Sequence, residues 1–200
     1  MRAFWLRQFR LWHWVSAAVG LTGMLLFALT GLMLNHAGLF PARPVTVEET
    51  VALPPDLLPV LAAMPEAAEA PLPPELAAWL TTRFRVALVG RATETDAAEV
   101  YVALPVPGGD GWLAIDRDTG EVTHRHTDLG WVAFLNDLHK GRNAGPVWGL
   151  FIDLLAVACV VFTVSGLGLL WLHARVRPAT WPLTWAGALL PLLVALLFVH

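Results

Sequence analysis

Long charge-free runs flank a polar middle. Residues 11–42 hold no Asp, Glu, Lys or Arg, residues 143–174 hold only Asp153, and none follows Arg177. A helix needs about 20 apolar residues to span a bilayer, so the pattern predicts spans at 13–36, 147–172 and 180–199. The first is read as a retained span: it is long for a secretory signal, and no small-x-small site follows it. Residues 41–74 carry nine prolines and are expected to form an extended tether. Residues 75–127 predict a small α+β domain. Pro74–Leu80 reads as a helix. Phe84–Val89 and Glu99–Pro105 alternate like strands, and Pro107–Gly111 reads as a hairpin turn. Trp112–Asp116 and Glu121–His126 read as strands around the turn Asp118–Gly120. In 128–143, Leu129, Val132, Leu135, Leu138 and His139 form one helical stripe, which predicts an amphipathic helix at a membrane interface. Gly141, Gly145 and Pro146 break it before the second span. The expected fold is a membrane protein, mainly α, with three transmembrane helices and a small α+β domain inserted between the first and second.

Composition agrees. Apolar residues make up 56%, charged residues 14%, and mean hydropathy is +0.60; soluble domains run at about 45–50% and about 25%. This excludes a disordered chain, a nucleic-acid binder with a basic surface, and an ordinary soluble domain. The single cysteine, Cys159, excludes an internal disulfide and a cysteine-held metal or iron–sulfur site. No GxGxxG loop is present, so oxidation of NAD(P)H by this chain is not expected. Arg2, Arg7 and Arg10 precede the first span, and Arg175 and Arg177 lie between the second and third. Residues 43–142 hold 8 basic and 15 acidic side chains, a net of −7. By the positive-inside rule, residues 1–12 and the 174–178 turn face the cytoplasm, and the middle segment and the C-terminal side face the periplasm of a bacterial inner membrane. Eight of ten tryptophans lie near span ends, as an interfacial belt would.

The histidines carry the candidate chemistry. His13 and His36 stand 23 residues apart, about 35 Å along a helix, one at each face of the bilayer. His173 closes the second span and is expected level with His13; His139 precedes that span and is expected level with His36. Imidazoles offered from two helices suit haem iron. The other reading stays open: a histidine at a membrane interface needs no cofactor. A His/Met pair using Met24 or Met33 ranks lower, because both lie off the level of the histidines. Small residues, Ser16, Gly20, Gly23 and Gly31 on the first span and Gly145, Gly149, Ser165 and Gly168 on the second, either pack helices closely or leave room for a macrocycle. Asp153, about seven residues into its span, is a proton relay, a hydrogen-bond partner of a haem-site histidine, or a polar anchor between helices. His124 and His126 share one strand face, as a polar surface or a weak metal site. His200 ends the given sequence.

Four segments resemble PepSY-associated transmembrane proteins. Phe134-Leu-Asn-Asp-Leu-His139-Lys-Gly-Arg142 resembles their LHKGR signature, and Ser165-Gly-Leu-Gly-Leu-Leu-Trp171-Leu-His173 resembles their SGLxLW helix end. His13-Trp-Val-Ser-Ala-Ala through Thr30-Gly-Leu-Met-Leu-Asn35-His36 is similar to their first helix, and Ile115-Asp-Arg-Asp-Thr-Gly-Glu121-Val to the PepSY strand with its turn. The likeness covers nearly all of the chain except 41–74 and the third span. It implies that 75–127 is a PepSY-like module. Larger relatives, with four spans and two modules, include haem-containing ferric-siderophore reductases. By that likeness His13, His36, His139 and His173 are haem b ligands, for one or two haems. A chain with three spans and one module implies a homodimer that completes the site.

Two functions follow as expectations. In the first, electrons pass from a cytoplasmic or quinol donor across the membrane to a periplasmic acceptor, a ferric siderophore or other ferric chelate. Reduction weakens the hold of hard oxygen ligands on the iron. In the second, the chain is a cofactor-free, membrane-anchored PepSY module acting on a periplasmic peptidase or other partner. A periplasmic metal sensor or carrier using His124 and His126 is third. Membrane lipid is a partner in each case, and nucleic acid in none.

Overall fold

The computed structural model describes residues 1–41, 43–88 and 90–199. Val89, the expected end of a strand, and His200 lie outside the described residues. Among the described residues three helices are long and apolar enough to cross a membrane: α1 (Arg2–Asn35), α5 (Gly145–His173) and α6 (Thr180–Phe198). α1 starts eleven residues before the expected span at His13, because no Pro or Gly interrupts residues 2–19 and a propagating helix stops only at a breaker. The chain divides into two compact units, Met1–Ala28 with Leu150–His200, and Leu29–Gly149.

In the first unit α1 and α5 run antiparallel. Arg2 donates to the Leu172 carbonyl at 2.7 Å, Phe9 meets Gly168, Gly20 meets Ala158 and Gly23 meets Leu155. The glycines are places of close approach. A Cβ on Gly23 would stand 2.7 Å from Leu155 Cδ1, and one on Gly168 2.7 Å from the Phe9 ring. In lipid no hydrophobic force draws apolar helices together, so such close contact takes its place. Of the two uses expected for these small residues, the structure shows close packing at Gly20, Gly23 and Gly168; Leu155 and Phe9 fill the space.

The second unit is built on a six-stranded antiparallel sheet. Its strands are β1 (Val45–Ala52), β2 (Ala67–Ala70), β3 (Thr93–Thr95), β4 (Glu99–Ala103), β5 (Gly109–Asp116) and β6 (Glu121–Asp128). Their order is β1-β6-β5-β4-β3-β2. Two short helices, α2 (Leu58–Ala62) and α3 (Pro74–Phe84), contribute Leu61, Leu76 and Leu80 to one core with Val100, Val102, Leu113, Ile115 and Val122. Alternate strand residues reach that core and their neighbours do not, as strand periodicity requires. The β5–β6 turn is held by Asp116, whose Oδ1 accepts from the N–H groups of Asp118 and Thr119 and from the Thr119 hydroxyl. Gly120 takes φ +70. The unit also holds α4 (Trp131–Lys140).

Two expectations fail here. Residues 41–74 are not a tether throughout: Val45–Ala52 pairs with β6 along its whole length, from Val45 opposite Asp128 to Ala52 opposite Glu121. The prolines stop short of it, at 44 and 54, and Val-Thr-Val-Glu-Glu-Thr-Val suits a pleated edge. Pro59 sits in the first turn of α2, where a missing N–H costs nothing. The described part of the expected strand Phe84–Val89, residues 84–88, is not a strand either. α3 continues through Phe84 and stops at Arg85, whose φ is +56, and Leu88 joins the core. Among the described residues the sheet has six strands rather than four.

Candidate functional site

Each candidate histidine belongs to one unit. In the first, His13 on α1 meets α5. Its Nδ1 lies 3.1 Å from the Phe162 carbonyl and 3.2 Å from Ser165 Oγ. Its ring stacks on Phe162, centroids 4.2 Å apart and planes 21° from parallel. Gly166 makes room, since a Cβ there would stand 3.3 Å from His13 Cε1. Ser165 Oγ donates to the Val161 and Phe162 carbonyls, at 2.6 and 3.0 Å. A carbonyl only accepts, so in neutral His13 the hydrogen sits on Nδ1 and the Nε2 lone pair is left over.

The same arrangement recurs twice. His173 Nδ1 donates to the Leu169 carbonyl at 2.8 Å, and His36 Nδ1 donates to the Leu32 carbonyl at 3.0 Å. Both carbonyls lie one helical turn back. Fixing one ring nitrogen on a backbone oxygen is the usual support behind a metal-bound imidazole, because it sets the tautomer and the ring orientation. His139 differs. Its Nδ1 lies 2.8 Å from the Thr30 hydroxyl, and its ring occupies the notch at Gly31, where a Cβ would stand 3.3 Å from Cε1 and 3.8 Å from Nε2.

The expected levels are corrected. His13 stands beside Ser165, eight residues from His173, which is about 12 Å along the helix. His139 stands beside Gly31, five residues from His36, or about 8 Å. Counting from span ends assumed that both helices begin at the same membrane face. Instead α1 reaches back to Arg2, which lies against Leu172 next to His173. The members of each pair are staggered.

Asp153 is exposed on α5, and no hydrogen bond or ion pair reaches it among the described residues. The unexpected acid is Asp137. It is 4% exposed, its Oδ1 accepts from Arg142 Nε at 2.9 Å and Nη2 at 2.6 Å, and its Oδ2 accepts from the Gly108 N–H at 2.9 Å. Gly141, at φ +67, closes α4 and turns Arg142 back onto Asp137. The Asp-Leu-His-Lys-Gly-Arg run therefore clamps the end of α4 to the β4–β5 turn. The sequence held a signal for it: an acid and an arginine five residues apart around a glycine that ends a helix. His124 and His126 are half-buried rather than exposed. Among the described residues no group of three His, Cys, Asp or Glu is placed to hold a metal ion.

Residues 4–200 match the model of the family described as "Putative PepSY_TM-like". No curated protein matches the chain, and no solved structure does.

Proposed function

The chain belongs to the PepSY_TM-like family of membrane proteins, and from that premise we propose that it is a b-type haem protein of the bacterial inner membrane. It passes electrons from a cytoplasmic or quinol donor to a periplasmic ferric chelate such as a siderophore, and each electron delivered reduces one Fe(III) to Fe(II). N-terminal residues face the cytoplasm and the PepSY-like sheet faces the periplasm. One observation carries the reading: His13, His36 and His173 each anchor Nδ1 on a backbone carbonyl, which leaves Nε2 for a metal. His139 is the fourth ligand, and its ring must leave the Gly31 notch to serve.

Haem, when bound, supplies reversible one-electron iron chemistry. The chain's own residues do the rest. Phe162 and Gly166 fix the His13 ring plane, Ser165 and the Phe162 carbonyl hold its Nδ1 proton, and the Leu32 and Leu169 carbonyls do the same for His36 and His173. The α1–α5 contact is filled by Leu155 and Phe9, and the in-chain pairs are staggered. Haem held by these histidines would therefore draw on two copies of the chain rather than on one α1–α5 pair.

Spectra of the detergent-purified protein, oxidised and then dithionite-reduced, test this, with a pyridine haemochrome count per chain. A sharp reduced α-band that His13→Ala or His173→Ala removes is the expected result. A protein still colourless after expression with added haem overturns it. The filled α1–α5 contact favours a second reading, the cofactor-free membrane-anchored PepSY module, and that outcome would establish it as the better account.

A further inference from the structure

The core face of the sheet extends past its helical cover. α3 stops at Phe84, whose ring lies 5.1 Å from that of His124. Beyond it a cleft of about 620 Å³ opens, within the roughly 300–1,000 Å³ typical of small-molecule sites. His124 and His126 follow Val122 on the same strand face, with Val47 and Glu49 of β1 directly opposite. Leu104 and Val106 add apolar floor, and Arg83, Arg85 and Arg91 form the wall.

The cleft's charge runs against that of its surroundings. Residues 43–142 carry a net −7, yet three arginines here face one carboxylate. Arg83 pairs with that carboxylate, Glu49. Arg85 and Arg91 have no acidic partner among the described residues. We propose that the cleft binds a small organic carboxylate, its head toward Arg85 and Arg91 and its apolar body on Val47, Leu104 and Val106. The arginines exclude a metal cation, and the apolar floor disfavours a bare inorganic anion. The proposal goes beyond the haem reading and holds with or without it.

Protonation of His124 adds positive charge, so binding tightens as pH falls. Burial, and then the neighbouring His126, push the His124 imidazole below its ordinary value, while Glu49 pulls it back in part. Glu49 from β1, Arg83 and Arg85 at the end of α3, Arg91 and His126 are the charged or titratable groups that share the cleft.

Calorimetry on the full-length protein in lipid nanodiscs is the test, with benzoate as probe. Benzamide is its neutral match and inorganic phosphate its apolar-free match. Benzoate is expected to bind, with benzamide and phosphate each at least about tenfold weaker. Arg91→Gln, in an exposed turn, and Arg85→Gln should each weaken benzoate about tenfold, the effect of one charged hydrogen bond. Arg125→Gln, whose side chain pairs with Glu48 on the other face, should leave it unchanged. Benzamide or phosphate binding as tightly as benzoate would overturn the proposal. So would loss in neither arginine variant, or no heat with benzoate at millimolar concentration.

Discussion

The sheet unit and the long helices handle apolar side chains in opposite ways. In the sheet unit Leu76, Leu80, Val100, Val102, Leu113, Ile115 and Val122 are 0% exposed. Along α6, Leu192, Leu193 and Leu196 are 59%, 52% and 79% exposed. One region closes its core within the chain; the other keeps its apolar surface for lipid or for another chain. Stability in the first should follow volume removed from a packed interior, whereas in the second it should follow the few places where backbones meet.

The sharpest test sets Leu80→Ala against Leu192→Ala. The first empties a closed core and should cost about 2–5 kcal/mol. The second trims a lipid-facing side chain and should cost under about 0.5 kcal/mol. Chemical unfolding in mixed micelles, followed by hydrogen exchange in each unit, reads both. Equal losses would erase the contrast.

Asp137→Ala comes next, at about 2–3 kcal/mol, because it leaves the Gly108 N–H without an acceptor and releases Arg142. Gly108 has no slack: it takes φ +72, and a Cβ there would stand 2.6 Å from the Phe134 backbone. Loss of hydrogen-exchange protection at Gly108 and along α4 is the readout. Unchanged protection there would show that the clamp does nothing for the sheet unit.

Gly168→Ala carries the contrast into the helices. The added methyl meets the rigid Phe9 ring at 2.7 Å, and overpacking of this kind costs about 1–3 kcal/mol. Gly149→Ala has open space around it and should be neutral or slightly stabilising, since Ala favours a helix. Steric trapping of α1 against α5 would separate them. If both behaved alike, close glycine contact would not be what holds this pair.

What could be read in advance follows the same division. The spans were legible because a bilayer imposes length and charge rules on sequence directly, as at residues 11–42. The β5–β6 hairpin was legible because Asp116, Thr119 and Gly120 encode their turn locally. β1 was not: its evidence is Val45–Ala52 alone, and the surrounding prolines outweighed it until β6 supplied a partner. Phe84–Val89 alternates like a strand, yet Arg85 in a left-handed conformation ends α3 there and sends Leu88 inward. The histidine levels failed for a related reason. Residue counting gives position along one helix, whereas register between helices is set by contacts such as Phe9 with Gly168. Imidazole anchoring at His36 and His173, by contrast, needs only the carbonyl one turn back.

The smallest expected effect is on pH dependence, and it divides the sheet unit itself. The Thr119 backbone N–H, then the Thr119 hydroxyl, hold the Asp116 carboxyl below its usual value of 3.8. The folded state therefore binds that proton less readily than the unfolded chain, so the contribution is present above about pH 4 and is lost as pH falls through the lowered value. His124 is shifted downward as well, chiefly by burial. There the neutral ring is the folded form. Its contribution is complete above the ordinary imidazole value of 6.5 and fades as pH falls toward the lowered one. Asp116→Asn keeps an acceptor for the turn but removes the charge, and should flatten stability against pH only below about pH 4. His124→Phe should flatten it only below about pH 6.5, in the range where benzoate binding is expected to tighten. Thermal melts across pH 3–8 distinguish the two. A slope near pH 6 that survives His124→Phe would place the titrating group elsewhere than at His124.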